Sequence, residues 1–139
     1  MNSPRENALV ARFSPYGSAV ELGIGRRPAV AVALADRGVD VAATDVDDPA
    51  ELGVPPDLRF VRDDVVAASD RDAPGAVYDA DLVYALNLPP ELHRPALEVA
   101  RAVGADFLFT TLGYDAPTIP ADTESLPAGE TLYVARESD

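Results

Sequence analysis

Ser18-Ala19-Val20-Glu21-Leu22 runs directly into the turn Gly23-Ile24-Gly25, and after Arg26-Arg27-Pro28 the chain is unbroken apolar from Ala29 to Ala35. A strand that ends in glycines and leads into a helix apolar on every side needs a sheet with helices packed against it. The rest of the chain repeats this alternation. Ser3-Pro4-Arg5-Glu6 carries the reciprocal capping pattern of a helix start leading into Asn7 to Phe13, and Ser14-Pro15-Tyr16-Gly17 ends that helix. The helix after Pro28 reads as buried and closes at Gly38. Val39 to Thr44 is a second strand stopping at Asp45, Asp47 to Leu52 makes a helical turn, and Leu58 to Arg62 a third strand.

Between Val65 and Ala80 the polar sequence and Pro74-Gly75 permit a short helix only, and Asp81 to Leu86 is a near-continuous apolar strand ending at Asn87-Leu88-Pro89-Pro90. Pro90 to Arg94 forms a first helical turn, and Pro95 to Val103 a helix that Pro95 kinks or restarts, closed by Gly104. Ala105 to Leu112 holds a fifth strand, Gly113 to Glu130 reads as a long connection without regular structure, and Thr131 to Ala135 is the last strand. Strands alternating with helices, without internal repeats, predict a single α/β domain over residues 1–139. The expected architecture is a Rossmann-like three-layer sandwich around a mostly parallel, doubly wound sheet.

Composition narrows the function classes. All 11 basic residues are arginine, 24 residues are acidic, and the net charge is -13. Such a field repels nucleic acid. The same Lys-free, Asp-rich, Ala-rich balance is that of proteins adapted to high salt, where a Debye length of ~3 Å at 1 M screens surface charge. In a chain so poor in basic residues, the adjacent Arg26-Arg27 points to a local task. No apolar run approaches the ~20 residues of a membrane span. The start Met1-Asn2-Ser3-Pro4-Arg5-Glu6 lacks a signal-peptide pattern, and there is no cysteine, so a cytoplasmic protein is expected.

In doubly wound sheets ligands sit at the carboxyl ends of the strands. That rule selects Glu21 to Arg27, Asp45, Asp63-Asp64 and Asn87 to Pro90. The glycine turn lets a ligand approach the backbone, and an acidic residue closing the first strand suits a cationic or hydroxyl-bearing ligand. A dinucleotide fingerprint would place glycine where Pro28 stands and an apolar residue where Glu21 stands. Asp45 follows Gly25 by the spacing of a ribose-binding acid. Asp63 or Asp64 either contacts a base or caps a helix.

Val20-Glu21-Leu22-Gly23-Ile24-Gly25, Asp45 and Asp64 resemble, in order, the cofactor motifs of Rossmann-like S-adenosylmethionine-dependent methyltransferases. The chain as a whole is similar to a small uncharacterised archaeal family, of haloarchaeal type, with that fold. The resemblance implies that Glu21, Gly23 and Gly25 hold the methionine portion, Asp45 the ribose and Asp64 the adenine. It departs at Arg27, where the methyltransferase turn has a third glycine; an arginine there either blocks the pocket or contacts the cofactor carboxylate. Asn87-Leu88-Pro89-Pro90 resembles the Asn-Pro-Pro-aromatic motif of amino-group methyltransferases, with Leu88 inserted and Glu91 in place of the aromatic. Asn87, Pro89 and Pro90 are therefore candidate substrate residues.

His93 is either a general base beside that loop or a packing residue, and Tyr84 and Tyr114 either line a pocket or pack. The residues offer no metal-ligand pattern, nucleophile elbow or phosphate-binding lysine loop. The expected function is S-adenosylmethionine binding, with methyl transfer to an unknown acceptor. The rivals are a non-catalytic nucleotide-binding or interaction module with a degenerate pocket, and a nicotinamide oxidoreductase in which Arg26 or Arg27 takes a phosphate. So small a chain has little to spare for an acceptor site, so a homo-oligomer or a partner protein is expected to contribute one.

Overall fold

The computed structural model describes residues 2–136. Helix α1 (Pro4–Phe13) is followed by β1 (Ser18–Leu22), α2 (Ala29–Asp36), β2 (Asp40–Asp45), the short α3 (Pro49–Leu52), β3 (Arg59–Arg62) and α4 (Val65–Asp70). After a 3-10 turn at Ala76–Tyr78 come β4 (Leu82–Leu88), α5 (Pro90–Val103) and β5 (Asp106–Thr111). Then β6 (Ala121–Ser125), a second 3-10 turn (Pro127–Gly129) and β7 (Thr131–Ala135) complete the order. All seven strands form one sheet in the order β3-β2-β1-β4-β5-β7-β6. The pairs from β3 through β5 are parallel, whereas β7 runs antiparallel to both β5 and β6. The chain is therefore a Rossmann-like α/β fold with a mostly parallel sheet.

Alternation along the central strands divides the core into two layers. Ala19, Ala43, Leu82, Tyr84 and Leu108 face α1 and α2 with Leu9, Phe13 and Leu34. Val20, Leu22, Val83, Ala85, Phe107 and Phe109 face the other way, against Ala96, Leu97, Val99 and Ala100 of α5. Each face is covered, which is why these strands read as continuous apolar runs. Helix α1 starts as expected: the Ser3 side chain accepts from Glu6 N at 3.1 Å while Glu6 Oε1 accepts from Ser3 N at 2.8 Å.

Three expectations are corrected. Gly113 to Glu130 is not wholly irregular, because Ala121–Ser125 pairs with Thr131–Ala135 as an edge strand. Its side chains are mostly exposed, so no apolar period announces it; backbone pairing and the ion pair of Arg12 Nε with Glu124 Oε2, 2.6 Å apart, hold it against α1. Pro95 does not break its helix, since α5 runs through it from Pro90 to Val103. A proline in the sixth position forfeits the bond to the Glu91 carbonyl, and Glu91 is exposed, so water can replace it. Helix α2 is only partly buried: Val30, Ala31 and Leu34 are inside, while Ala35 and Asp36 are exposed. Its outer side is mostly alanine, which exposes little apolar area.

Candidate functional site

The parallel strands all point their carboxyl ends to one edge of the sheet, and a cleft of about 760 Å³ opens there. Its floor is the end of β1 and the turn after it, with Glu21, Gly23, Ile24 and Gly25. Arg26 and Arg27 also line it, with Leu86, Asn87 and Thr110 from β4 and β5, the N-cap Ser3 and Arg5, Glu6 and Leu9 of the first helix, and Glu130. Gly23 and Gly25 have φ of 62° and 60°, the left-handed conformation that glycine adopts without a Cβ penalty. A Cβ on Gly23 would meet nothing within 4 Å, so at this position the glycine serves backbone shape rather than clearance from the protein.

Glu21 is the chemically distinctive group. It is 2 % exposed, and its Oε1 accepts from the Tyr84 hydroxyl at 2.7 Å. The two residues are register partners on β1 and β4, and Tyr84 is packed against Phe13, ring centroids 4.6 Å apart. No arginine lies within ion-pair distance of Glu21 among the described residues. Burial pushes the Glu21 carboxyl up to about 8, the Tyr84 hydrogen bond offsetting part of this and the nearby Asp45 charge adding to it. Burial likewise raises the Tyr84 hydroxyl, with the Glu21 charge adding to it. The cleft thus holds a carboxylic acid that is neutral near neutrality, with its second oxygen uncommitted among the described hydrogen bonds.

Asp45 closes β2 next to the turn. Its Oδ2 accepts from Gly25 N at 2.8 Å and its Oδ1 from Asp47 N at 3.0 Å, so it ties the β1 turn to the β2 loop. Asp63 N donates to Asp45 O at 2.9 Å, which carries the edge on to β3. Asp64 caps α4, its Oδ1 accepting from Val66 N at 2.9 Å. Asp63 pairs with Arg71 and accepts from the Tyr78 hydroxyl; burial raises its carboxyl, but these bonds and the Asp64 N–H outweigh that and hold it below the usual range. Two apolar side chains flank this stretch uncovered, Val46 at 55 % and Val66 at 40 % exposure.

Glu21, Gly23, Gly25, Arg27 and Asn87 are therefore brought to one cleft, and Asp45, which is not among its lining residues, is tied to it through the Gly25 amide. Asp64 lies further along the edge. Pro89 and Pro90 do not line the cleft: they are the N-cap and first residue of α5. His93 is fully buried, its Nε2 3.0 Å from Leu88 O and its Nδ1 accepting from Thr118 N at 3.1 Å. Nδ1 as acceptor makes Nε2 the protonated nitrogen, so the imidazole is neutral, has both nitrogens engaged and packs against Phe109. That satisfies the packing alternative. Tyr84 reaches the cleft only through Glu21, and Tyr114 is fully exposed.

Arg5, Thr110 and Glu130 were not among the expected site residues. They lie far from the glycine turn in sequence, and only the fold of α1 over the sheet edge and the return of β7 bring them in. Nor does the sequence announce the backbone at Asn87, which has φ of 53° where β4 shifts register against β5 between Ala85 and Leu88. Among the described residues no group of three or more His, Cys, Asp or Glu is arranged to hold a metal ion, and no helix is long and apolar enough to cross a membrane.

The fold finds parallels among known proteins. A TehB-like SAM-dependent methyltransferase from Corynebacterium glutamicum superposes with a TM-score of 0.62 at 19% identity, over 96% of this chain and 87% of that one. The 1,6-didemethyltoxoflavin-N1-methyltransferase of Burkholderia thailandensis, solved with 1,6-didemethyltoxoflavin and S-adenosylhomocysteine bound, gives 0.52 at 20% identity, over 95% of this chain and 59% of that one. At such identities the likeness is one of fold. In sequence, a UPF0146 protein of Halobacterium salinarum is 45% identical over 131 residues, 94% of this chain and 95% of its own length. With residues 5–138 also matching the family as a whole, the chain belongs to the Uncharacterised protein family (UPF0146), an archaeal family with a methyltransferase-like fold.

Proposed function

We propose that the cleft binds the aminoacyl nucleoside S-adenosylmethionine and that the protein is a methyltransferase. The observation that carries this reading is Glu21, a buried carboxyl without a counter-charge, aimed into a cleft whose floor is a glycine turn. A ligand that brings an ammonium group supplies the missing charge and favours the ionised acid. Arg5 and Arg27 line the same cleft, unpaired among the described residues, and suit the carboxylate of the same aminoacyl end. Arg27 thus replaces the expected third glycine as a contact rather than a plug, since the cleft remains open beside it.

Asp45 is assigned to the ribose hydroxyls. Its carboxylate accepts from Gly25 and Asp47 through one lone pair on each oxygen, which leaves a further acceptor site on each. Val46 and Val66 flank the adenine, and the Asp64 carboxylate takes its amino group with the oxygen not used for capping. Asn87 presents its carboxamide to the acceptor. Catalysis in such a site is mainly alignment of a nucleophile with the sulfonium methyl.

Thermal unfolding in molar KCl with S-adenosylmethionine, S-adenosylhomocysteine, NAD, NADP and ATP tests this. A ligand at 100 times its Kd stabilises by ~2.7 kcal/mol. A rise with the first two alone is expected. A rise with NAD or NADP would favour an oxidoreductase, and none with any ligand a non-catalytic module.

A further inference from the structure

Beside the cleft lies a second hollow of about 500 Å³, and Arg5, Thr110 and Glu130 line both. Resting on the cofactor reading above, we propose that this second hollow is the methyl-acceptor subsite and that it takes a small polar amine.

The seam between the two hollows is built, not incidental. Thr110 is 5 % exposed, and its Oγ1 accepts from Asn87 N at 2.7 Å, which fixes Asn87 in its left-handed conformation. Asn87 lines the cleft, and its carboxamide makes no hydrogen bond among the described residues. Left-handed backbone at a non-glycine residue is uncommon, and asparagine tolerates it better than most. Such conformations persist where surrounding contacts hold them, and here the holding contact comes from the hollow's own wall.

Charge selects the occupant. Glu130 is half-buried on the seam and has neither an ion-pair partner nor a side-chain hydrogen bond among the described residues. Asp115 adds a second carboxylate, and Tyr114 and Tyr133 complete the lining. The one cation of the wall, Arg5, is engaged by the cofactor carboxylate in the reading above. What remains is negative and polar, which fits an ammonium-bearing molecule and excludes an apolar one. The volume suits a metabolite-sized ligand.

The transfer balances without a further reactant. The ammonium gives its proton to water through the open hollow, and the free amine attacks the sulfonium methyl. The N–C bond forms as the C–S bond breaks. The sulfur keeps the electron pair as S-adenosylhomocysteine, and the positive charge passes to the methylated nitrogen.

The test is an NMR titration of labelled full-length protein, first with S-adenosylhomocysteine and then, at saturation, with ethanolamine or with acetate. Ethanolamine is expected to move the amides of Thr111, Gly113, Tyr114, Asp115 and Glu130, and acetate to leave them in place. Glu130→Gln and, independently, Asp115→Asn should each weaken the ethanolamine response, Glu130→Gln by about tenfold, the lower end for a hydrogen bond to a charged group. Equal or stronger shifts with acetate, or none with ethanolamine, overturn the acceptor assignment and leave the cofactor reading intact. If S-adenosylhomocysteine itself fails to move Gly23 to Arg27, both fall.

Discussion

The Gly25 amide donates to Asp45 Oδ2 at 2.8 Å, joining the turn after β1 to the end of β2 across twenty positions of sequence. The spacing that reads as a cofactor motif is thus also a structural brace. Asp45→Ala removes the brace and, with it, the proposed ribose contact, and should weaken S-adenosylhomocysteine binding at least tenfold. Asp45→Asn keeps acceptor oxygen for one amide only and should fall between. Calorimetric titration of the three proteins checks the order, and unchanged affinity in the alanine variant would remove the ribose assignment.

Glu21 links stability to pH. Its folded-state value of about 8 lies above the ordinary carboxyl value, so between the two the native state holds a proton that the unfolded chain has released. The free energy of unfolding therefore falls as pH rises through that window and levels off above about 8. Glu21→Gln keeps an oxygen to accept from Tyr84 and carries no titratable proton. Denaturant unfolding at pH 5, 7 and 9 should show the variant gaining on the native chain as pH rises. A constant difference would mean that Glu21 is not the linked group.

Phe13 supports the site from a distance. It is fully buried and packs on Tyr84, which holds Glu21. Phe13→Ala should cost about 3–5 kcal/mol of stability, the range for a buried aromatic cut to alanine. Chemical denaturation measures that loss. Ligand affinity should also drop, because Tyr84 loses the ring that fixes it.

Asp64 separates capping from recognition. Asp64→Ser keeps a good N-cap for α4 and removes the carboxylate, so stability should change little while S-adenosylhomocysteine affinity falls. Asp64→Ala should lose about 1 kcal/mol of stability as well. Equal affinity across all three proteins would reduce Asp64 to a cap.

Much of the fold was legible because the central strands are buried on both faces and therefore apolar throughout, from Val20 and Leu22 to Val83 and Phe107. Strand β6 was not, because an exposed edge strand can be polar on both faces and its pairing is a backbone matter. Pro95 misled for a related reason: the bond it forfeits lies at an exposed turn. In the site, Glu21, the glycines and Arg27 were readable because they are contiguous. Arg5, Thr110 and Glu130 were not, because they reach the same edge from α1, β5 and the approach to β7. Asn87, near the end of β4, was singled out by motif, but its left-handed backbone is held by Thr110, which no local pattern connects to it.

An amide-resolved titration with S-adenosylhomocysteine tests the central claim most directly. Saturable shifts at Glu21, Gly23 to Arg27, Asp45 to Asp47 and Asn87, with the amides of β6 unmoved, are the predicted result. No shift, or shifts gathered away from the carboxyl ends of β1, β2 and β4, would contradict it.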